Sequence, residues 1–101
     1  QASSSTTYNT TSDERLKENI KPISDGVEKL MAMNPVNFTW KKYPDNPSQH
    51  GFIAQEIKKI LPEAVTSSGE YMSMDYGRIT PILVAALQNA LKRIQELEEK
   101  K

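Results

Sequence analysis

Cysteine is absent from the 101 residues, which excludes disulfide staples and thiolate metal sites. Histidine occurs once, as His50, so a zinc site would have to rest on carboxylates, an unusual donor set, and none is expected. There is no charge surplus either: 13 Lys and Arg stand against 13 Asp and Glu. A chain without excess positive charge has no general attraction for phosphate backbones, so no nucleic-acid partner is expected. No apolar run approaches the roughly 20 residues that span a bilayer, and the N-terminus has no basic or apolar signal region, so no membrane partner is expected. A glycine-rich phosphate loop is missing, and no cofactor is expected. Hydrophobic residues make up 37% and charged residues 26%, with only four Gly and six Pro. That composition belongs to one small globular domain rather than to a disordered or collagen-like chain. A start at Gln1 reads as part of a longer polypeptide.

Residues 1–12 carry no charge, and Ser and Thr fill seven of the first eleven positions (Ser3, Ser4, Ser5, Thr6, Thr7, Thr10, Thr11). Such a stretch has too little apolar surface to fold on itself. We read 1–11 as a linker or the end of an upstream stalk, and 12–101 as the domain. Ser24-Asp25-Gly26 before Val27, Leu30 and Met31 predicts a short helix, which Asn34-Pro35 must end. Val36, Phe38 and Trp40 alternate with Asn37, Thr39 and Lys41, the period of a half-buried strand. Residues 43–48 hold two prolines and turn formers and predict a loop. Gly51-Phe52-Ile53 fits a second short strand or the start of a helix, and Ala54 to Leu61 a helix with Ile53, Ile57, Ile60 and Leu61 on one face. Ala64-Val65 and Tyr71–Met74, joined across Thr66–Gly69, predict a hairpin. Phe38, Trp40, Phe52, Ile53, Ile57 and Leu61 are the expected core.

From about Tyr76 to the C-terminus only Gly77 and Pro81 disfavour helix, and both fall in the opening turns, where proline is tolerated. Within this rod Leu83, Leu87, Ala90, Ile94 and Leu97 recur with a/d heptad spacing, while the residues between them after 91 are Lys92, Arg93, Gln95, Glu96, Glu98 and Glu99. That narrow stripe on a charged helix is a coiled-coil seam. Ile79, Ile82 and Leu91 widen the upper face, so the upper half is expected to pack on the domain and the lower half on copies of itself. The fold class is α+β: small strands and short helices on a long C-terminal helix, homotrimeric with coiled-coil helix ends.

Chemistry is harder to read from spacing. Ser12 and Lys17 lie five apart, about 140° around a helix, and can meet only across a turn or irregular segment. A lysine can deprotonate a serine hydroxyl only as a neutral amine, which demands burial or nearby positive charge; Arg15 and Lys21 are the neighbouring cations. By spacing alone a solvated charged linker is the better reading of the segment.

Four ordered blocks decide the matter differently. They are Ser12-Asp-Glu-Arg-Leu-Lys-Glu-Asn-Ile20, Met33-Asn-Pro-Val-Asn-Phe-Thr-Trp-Lys41, His50-Gly-Phe-Ile-Ala-Gln-Glu-Ile57 with Leu61-Pro-Glu-Ala-Val65, and Asp75-Tyr-Gly-Arg-Ile-Thr-Pro-Ile-Leu83 through Ala85-Ala-Leu-Gln88. Together they closely resemble the endosialidase-type intramolecular chaperone domain, found at the C-termini of phage tail spikes, tail fibres and neck appendages, with a related domain in myelin regulatory factors. The resemblance runs from Ser12 to about Leu97. It implies a homotrimer that helps the upstream stalk of the same polypeptide to assemble, then cuts itself off at Thr11–Ser12 as a single-turnover serine peptidase. It places the catalytic dyad on Ser12 and Lys17, with His50 and Gln55 supporting processing and Asp13 and Glu56 as further supporting positions. It also implies a virion fibre or spike precursor made in the host cytoplasm. The other readings are a trimerisation module retained uncut on the mature fibre and a host transcription-factor processing domain.

Overall fold

A computed structural model describes residues 10–100. The N-terminal segment up to residue 9 lies outside the described residues, and with it most of the expected linker or stalk end. The chain opens with a single 3-10 turn at Glu14–Leu16, followed by α1 (Gly26–Ala32), β1 (Val36–Phe38), β2 (Gln49–Gly51) and α2 (Ala54–Ile60). A 3-10 turn at Pro62–Ala64 leads into β3 (Val65–Thr66) and β4 (Ser73–Met74); a last 3-10 turn at Tyr76–Arg78 leads into α3 (Thr80–Glu99). This is a small α+β fold of short elements on one long C-terminal helix.

Each short element has a local cause. Asp25 stands at the N-cap of α1, but its side chain bonds no helix N–H; it pairs instead with Lys29 Nζ at 2.8 Å, one turn on. Helix α1 stops two residues before Asn34-Pro35, as the proline requires. β1 and β2 form an antiparallel hairpin in the register Val36–Gly51, Asn37–His50, Phe38–Gln49. β3 and β4 form another, Val65–Met74 and Thr66–Ser73, with the connecting chain reversing at Gly69, φ +101°, where a side chain would be strained. Pro62 does more than end α2: it sits in the first turn of the following 3-10 turn, a position that needs no N–H donor. Pro81 likewise lies in the first turn of α3.

The core is small. Ile57, Leu61, Ala64, Ile79 and Ile82 are buried together, backed by half-buried Met33, Phe52, Val65 and Met74. Phe38 and Phe52 are half-buried. Trp40, expected in the core, is 53% exposed: β1 ends at Phe38, and the indole only meets the Phe38 ring edge-on at 5.1 Å. Ile53 is exposed as well, at the N-cap of α2.

Helix α3 shows two stripes. Ile79, Ile82 and Ala86 are buried, and α1 crosses on this side at Gly26, where an added Cβ would lie 3.0 Å from Ala85 Cβ and 3.1 Å from the Ala86 nitrogen. The absence of a side chain at Gly26 is what lets the two backbones approach. Gly26→Val is expected to force the helices apart and lower stability by about 1–3 kcal/mol, the usual cost of overpacking, read as a fall in the urea midpoint.

The other stripe is bare. Leu87 is 61%, Ile94 52% and Leu97 64% exposed, and Leu83 and Ala90 are exposed too. Leu91, expected on the domain-facing side, instead lies in solvent beside this stripe. The helix runs about 30 Å, and every residue from Leu87 to Lys100 is exposed. A radius of gyration of 17.8 Å, against about 13 Å for a compact domain of this length, records the same projection.

Candidate functional site

The chain just before α1 places Ser12 and Lys17 together. Asp13 caps the Glu14–Leu16 turn, its Oδ1 accepting from the Arg15 N–H at 2.9 Å. The Leu16 and Lys17 N–H groups donate to the carbonyls of Asp13 and Glu14, both at 3.0 Å. Residues 13 and 17 on either side of this turn are extended. One tight turn between two extended residues brings the ends of a six-residue stretch alongside each other, which a continuous helix would not do. Lys17 Nζ donates to Ser12 Oγ at 2.6 Å. Just beyond, Asn19 adopts a left-handed conformation, φ 56°, which asparagine tolerates better than most residues.

Arg15 folds back onto Asp13 as a fork: Nε donates to Oδ1 at 3.1 Å and Nη2 to Oδ2 at 2.8 Å. The side-chain bonds from Arg15, and then its backbone N–H, hold the Asp13 carboxyl below the ordinary aspartate range. The guanidinium proposed from sequence as a cation beside Lys17 is thus paired with Asp13.

His50 and Gln55 occupy a different place. The β1–β2 register sets His50 opposite Asn37, and His50 Nδ1 lies 2.5 Å from Asn37 Oδ1. With the amide oxygen accepting, Nδ1 carries the hydrogen and Nε2 is the acceptor nitrogen of the ring. Gly51 follows, and an added Cβ there would come within 2.9 Å of the Tyr76 hydroxyl and 3.0 Å of the Phe38 ring. Gln55 lies in the first turn of α2. His50 and Gln55 share an open groove of about 750 Å³ with Phe38, Trp40, Phe52 and Tyr76. Glu56 accepts a hydrogen bond from Asn34 Nδ2 at 3.4 Å, tying α2 to the segment after α1.

Neither Ser12 nor Lys17 lines this groove or the smaller depression beside it. The single chain therefore bonds Ser12 to Lys17 and sets His50 and Gln55 on one groove that neither dyad residue lines. Leu16 and Ile20, on the dyad segment, are strongly exposed. Sequence reasoning missed Asn37 and Tyr76. Their signal lay in the blocks that contain them, but cross-strand register is needed to see what each one meets.

Comparisons with known proteins bear on this arrangement. A model of a peptidase family described as chaperone of endosialidase matches residues 12–66. Over 99 residues the chain is 32% identical to myelin regulatory factor homolog 1 of Caenorhabditis elegans, covering 88% of this chain and 11% of that protein. Over 97 residues it is 30% identical to the long tail fiber protein Gp37 of Enterobacteria phage K3, covering 88% of this chain and 8% of that protein. The chain thus spans only a small part of the length of these relatives. A solved structure described as a novel intramolecular chaperon superposes with a TM-score of 0.61, covering 81% of this chain and 99% of the other at 19% identity; the two share a fold.

Proposed function

Because the chain belongs to the chaperone-of-endosialidase family, we propose that it is the C-terminal intramolecular chaperone of a phage fibre or spike, which trimerises, guides its upstream stalk and then releases itself at Thr11–Ser12. The observation that carries this reading is the 2.6 Å contact between Ser12 Oγ and Lys17 Nζ, made by the residue directly after the proposed cut. The family match also begins at residue 12.

The chemistry follows from position. Ser12 supplies the nitrogen of the scissile amide, so its own hydroxyl lies within reach of the Thr11 carbonyl. Uncharged Lys17 takes the hydroxyl proton as Oγ attacks that carbonyl carbon. The C–N bond then breaks, the proton passes to the departing Ser12 amine, and Thr11 is left as an ester on Oγ. Water hydrolyses the ester, giving a free Thr11 carboxylate and a new N-terminus at Ser12; direct attack by activated water reaches the same products. His50 and Gln55 serve to orient the attack or donate to the developing oxyanion.

Assembly is what completes the site. In one chain the dyad is solvent-exposed and separate from His50 and Gln55. Covering the segment against other protomers favours the uncharged form of an amine, the form that accepts a proton. Cutting therefore reports that three stalks have met, and release of the clamp makes the product difficult to reverse. A weakly patterned Ser/Thr-rich stalk needs such a clamp, because the chain itself specifies register poorly, and holding three ends together raises their effective concentration.

Mass spectrometry of the chain produced with its upstream stalk tests this. The wild type is expected to yield a fragment beginning at Ser12, and Ser12→Ala to remain intact. A wild type that assembles and stays whole, or is cut at another bond, overturns self-release. The bare α3 stripe would then favour the second reading, a trimerisation module kept on the mature fibre.

A further inference from the structure

We infer that Arg15 is a positioning residue that holds the Asp13 carboxylate away from Lys17, so that the Lys17 amine is left to Ser12; this rests on the self-cleavage reading above. Asp13 stands beside the nucleophile and four residues before Lys17. Lys17 Nζ already reaches Ser12, the residue next to Asp13, so an unpartnered Asp13 carboxylate would compete for that ammonium. A pair of this kind would have two effects. It would draw Nζ off Ser12 Oγ, and it would stabilise the protonated amine, which takes no proton from a hydroxyl.

The structure shows why this does not happen. Both Asp13 oxygens are engaged by the Arg15 fork, at 3.1 and 2.8 Å, and Oδ1 also caps the turn through the Arg15 N–H at 2.9 Å. A bidentate guanidinium fits a carboxylate better than a single ammonium does and stays charged. Lys17 Nζ has Ser12 Oγ as its partner, and the described ion pairs contain no Lys17–Asp13 contact. Four roles therefore fit into six residues: nucleophile, a cap whose charge must be neutralised, the group that neutralises it, and the base beyond the turn.

Cleavage half-times of the full chain with its stalk decide this. Arg15→Ala frees the carboxylate and is expected to slow cleavage about fivefold, the reach of one exposed ion pair. Adding Asp13→Asn retains a capping oxygen but removes the charge, and is expected to recover most of the lost rate. If Arg15 merely stiffened the turn, the double variant would be as slow as Arg15→Ala or slower, and that result overturns the inference. Arg15→Ala cutting at the wild-type rate overturns it alone, whereas an uncut wild type removes both this inference and self-release.

Discussion

Leu87→Asp and Ile94→Asp are each expected to turn a trimer into single chains in sedimentation experiments, while leaving the helical circular dichroism of the domain in place. The core lies on the other stripe of α3, at Ile79, Ile82 and Ala86, and Leu87 and Ile94 are more than half exposed, so an aspartate at 87 or 94 leaves the core of its own chain untouched. In the proposed trimer the same aspartate would appear three times in one layer. Each carboxylate would lose its water at a cost of several kcal/mol with no partner to offset it. Each also replaces a side chain whose burial stabilises by about 1.5–3 kcal/mol. Weakening by more than about a thousandfold follows, since every 1.4 kcal/mol is a factor of ten. Processing should disappear with the trimer. Lys92→Asp, on the face away from the seam, should change neither. Single chains in the wild type, or a trimer that survives both substitutions, would remove the coiled-coil clamp.

The seam illustrates what the sequence makes legible. A period of 3.5 needs only spacing, and Leu83, Leu87, Ala90, Ile94 and Leu97 display it without any knowledge of neighbours. The same holds for Ile57 and Leu61, which one helical face places together and which the structure buries. Trp40 and Leu91 went the other way. Each continues a local pattern, one alternating and one helical, past the point where tertiary packing stops supporting it. β1 ends at Phe38, and α1 covers α3 near Ala85 and Ala86. Their exposure belongs to the same observation as the bare seam: one chain has more apolar surface than it can cover.

The site was legible in a different way. Spacing favours a solvated linker over a Ser12–Lys17 pair, because a helix would separate the two and nothing in the residue order reveals a single 3-10 turn ending in an extended residue. The Asp13 cap and the Arg15 fork hold that turn: the first joins the Asp13 carboxylate to the Arg15 backbone N–H, the second to its guanidinium. His50 was named from its block, but its partner Asn37 follows from register across a loop of ten residues, 39–48. Register is fixed by which faces are buried, not by the residues in either strand alone.

Lys17→Arg separates the two ways in which a cation beside Ser12 could act. Arginine keeps the positive charge and can donate to Oγ, but it does not give up its proton at any pH a protein survives. If Lys17 served only to hold the hydroxyl in place, Lys17→Arg would cut within tenfold of the wild-type rate. A base must first be deprotonated, and the absence of a positioned base typically costs a factor of about 10² to 10⁴. Lys17→Arg and Lys17→Met are therefore both expected to stay uncut over periods at least about a hundredfold longer than the wild-type half-time, followed by densitometry of the two fragments. Sedimentation of the same samples should still show trimers, because Lys17 lies on the exposed dyad segment and not on α3. A trimer that fails to cut thus isolates the chemistry from the assembly. Cleavage of Lys17→Arg at near the normal rate would assign proton removal to another group, and the His50 imidazole would be the first to examine.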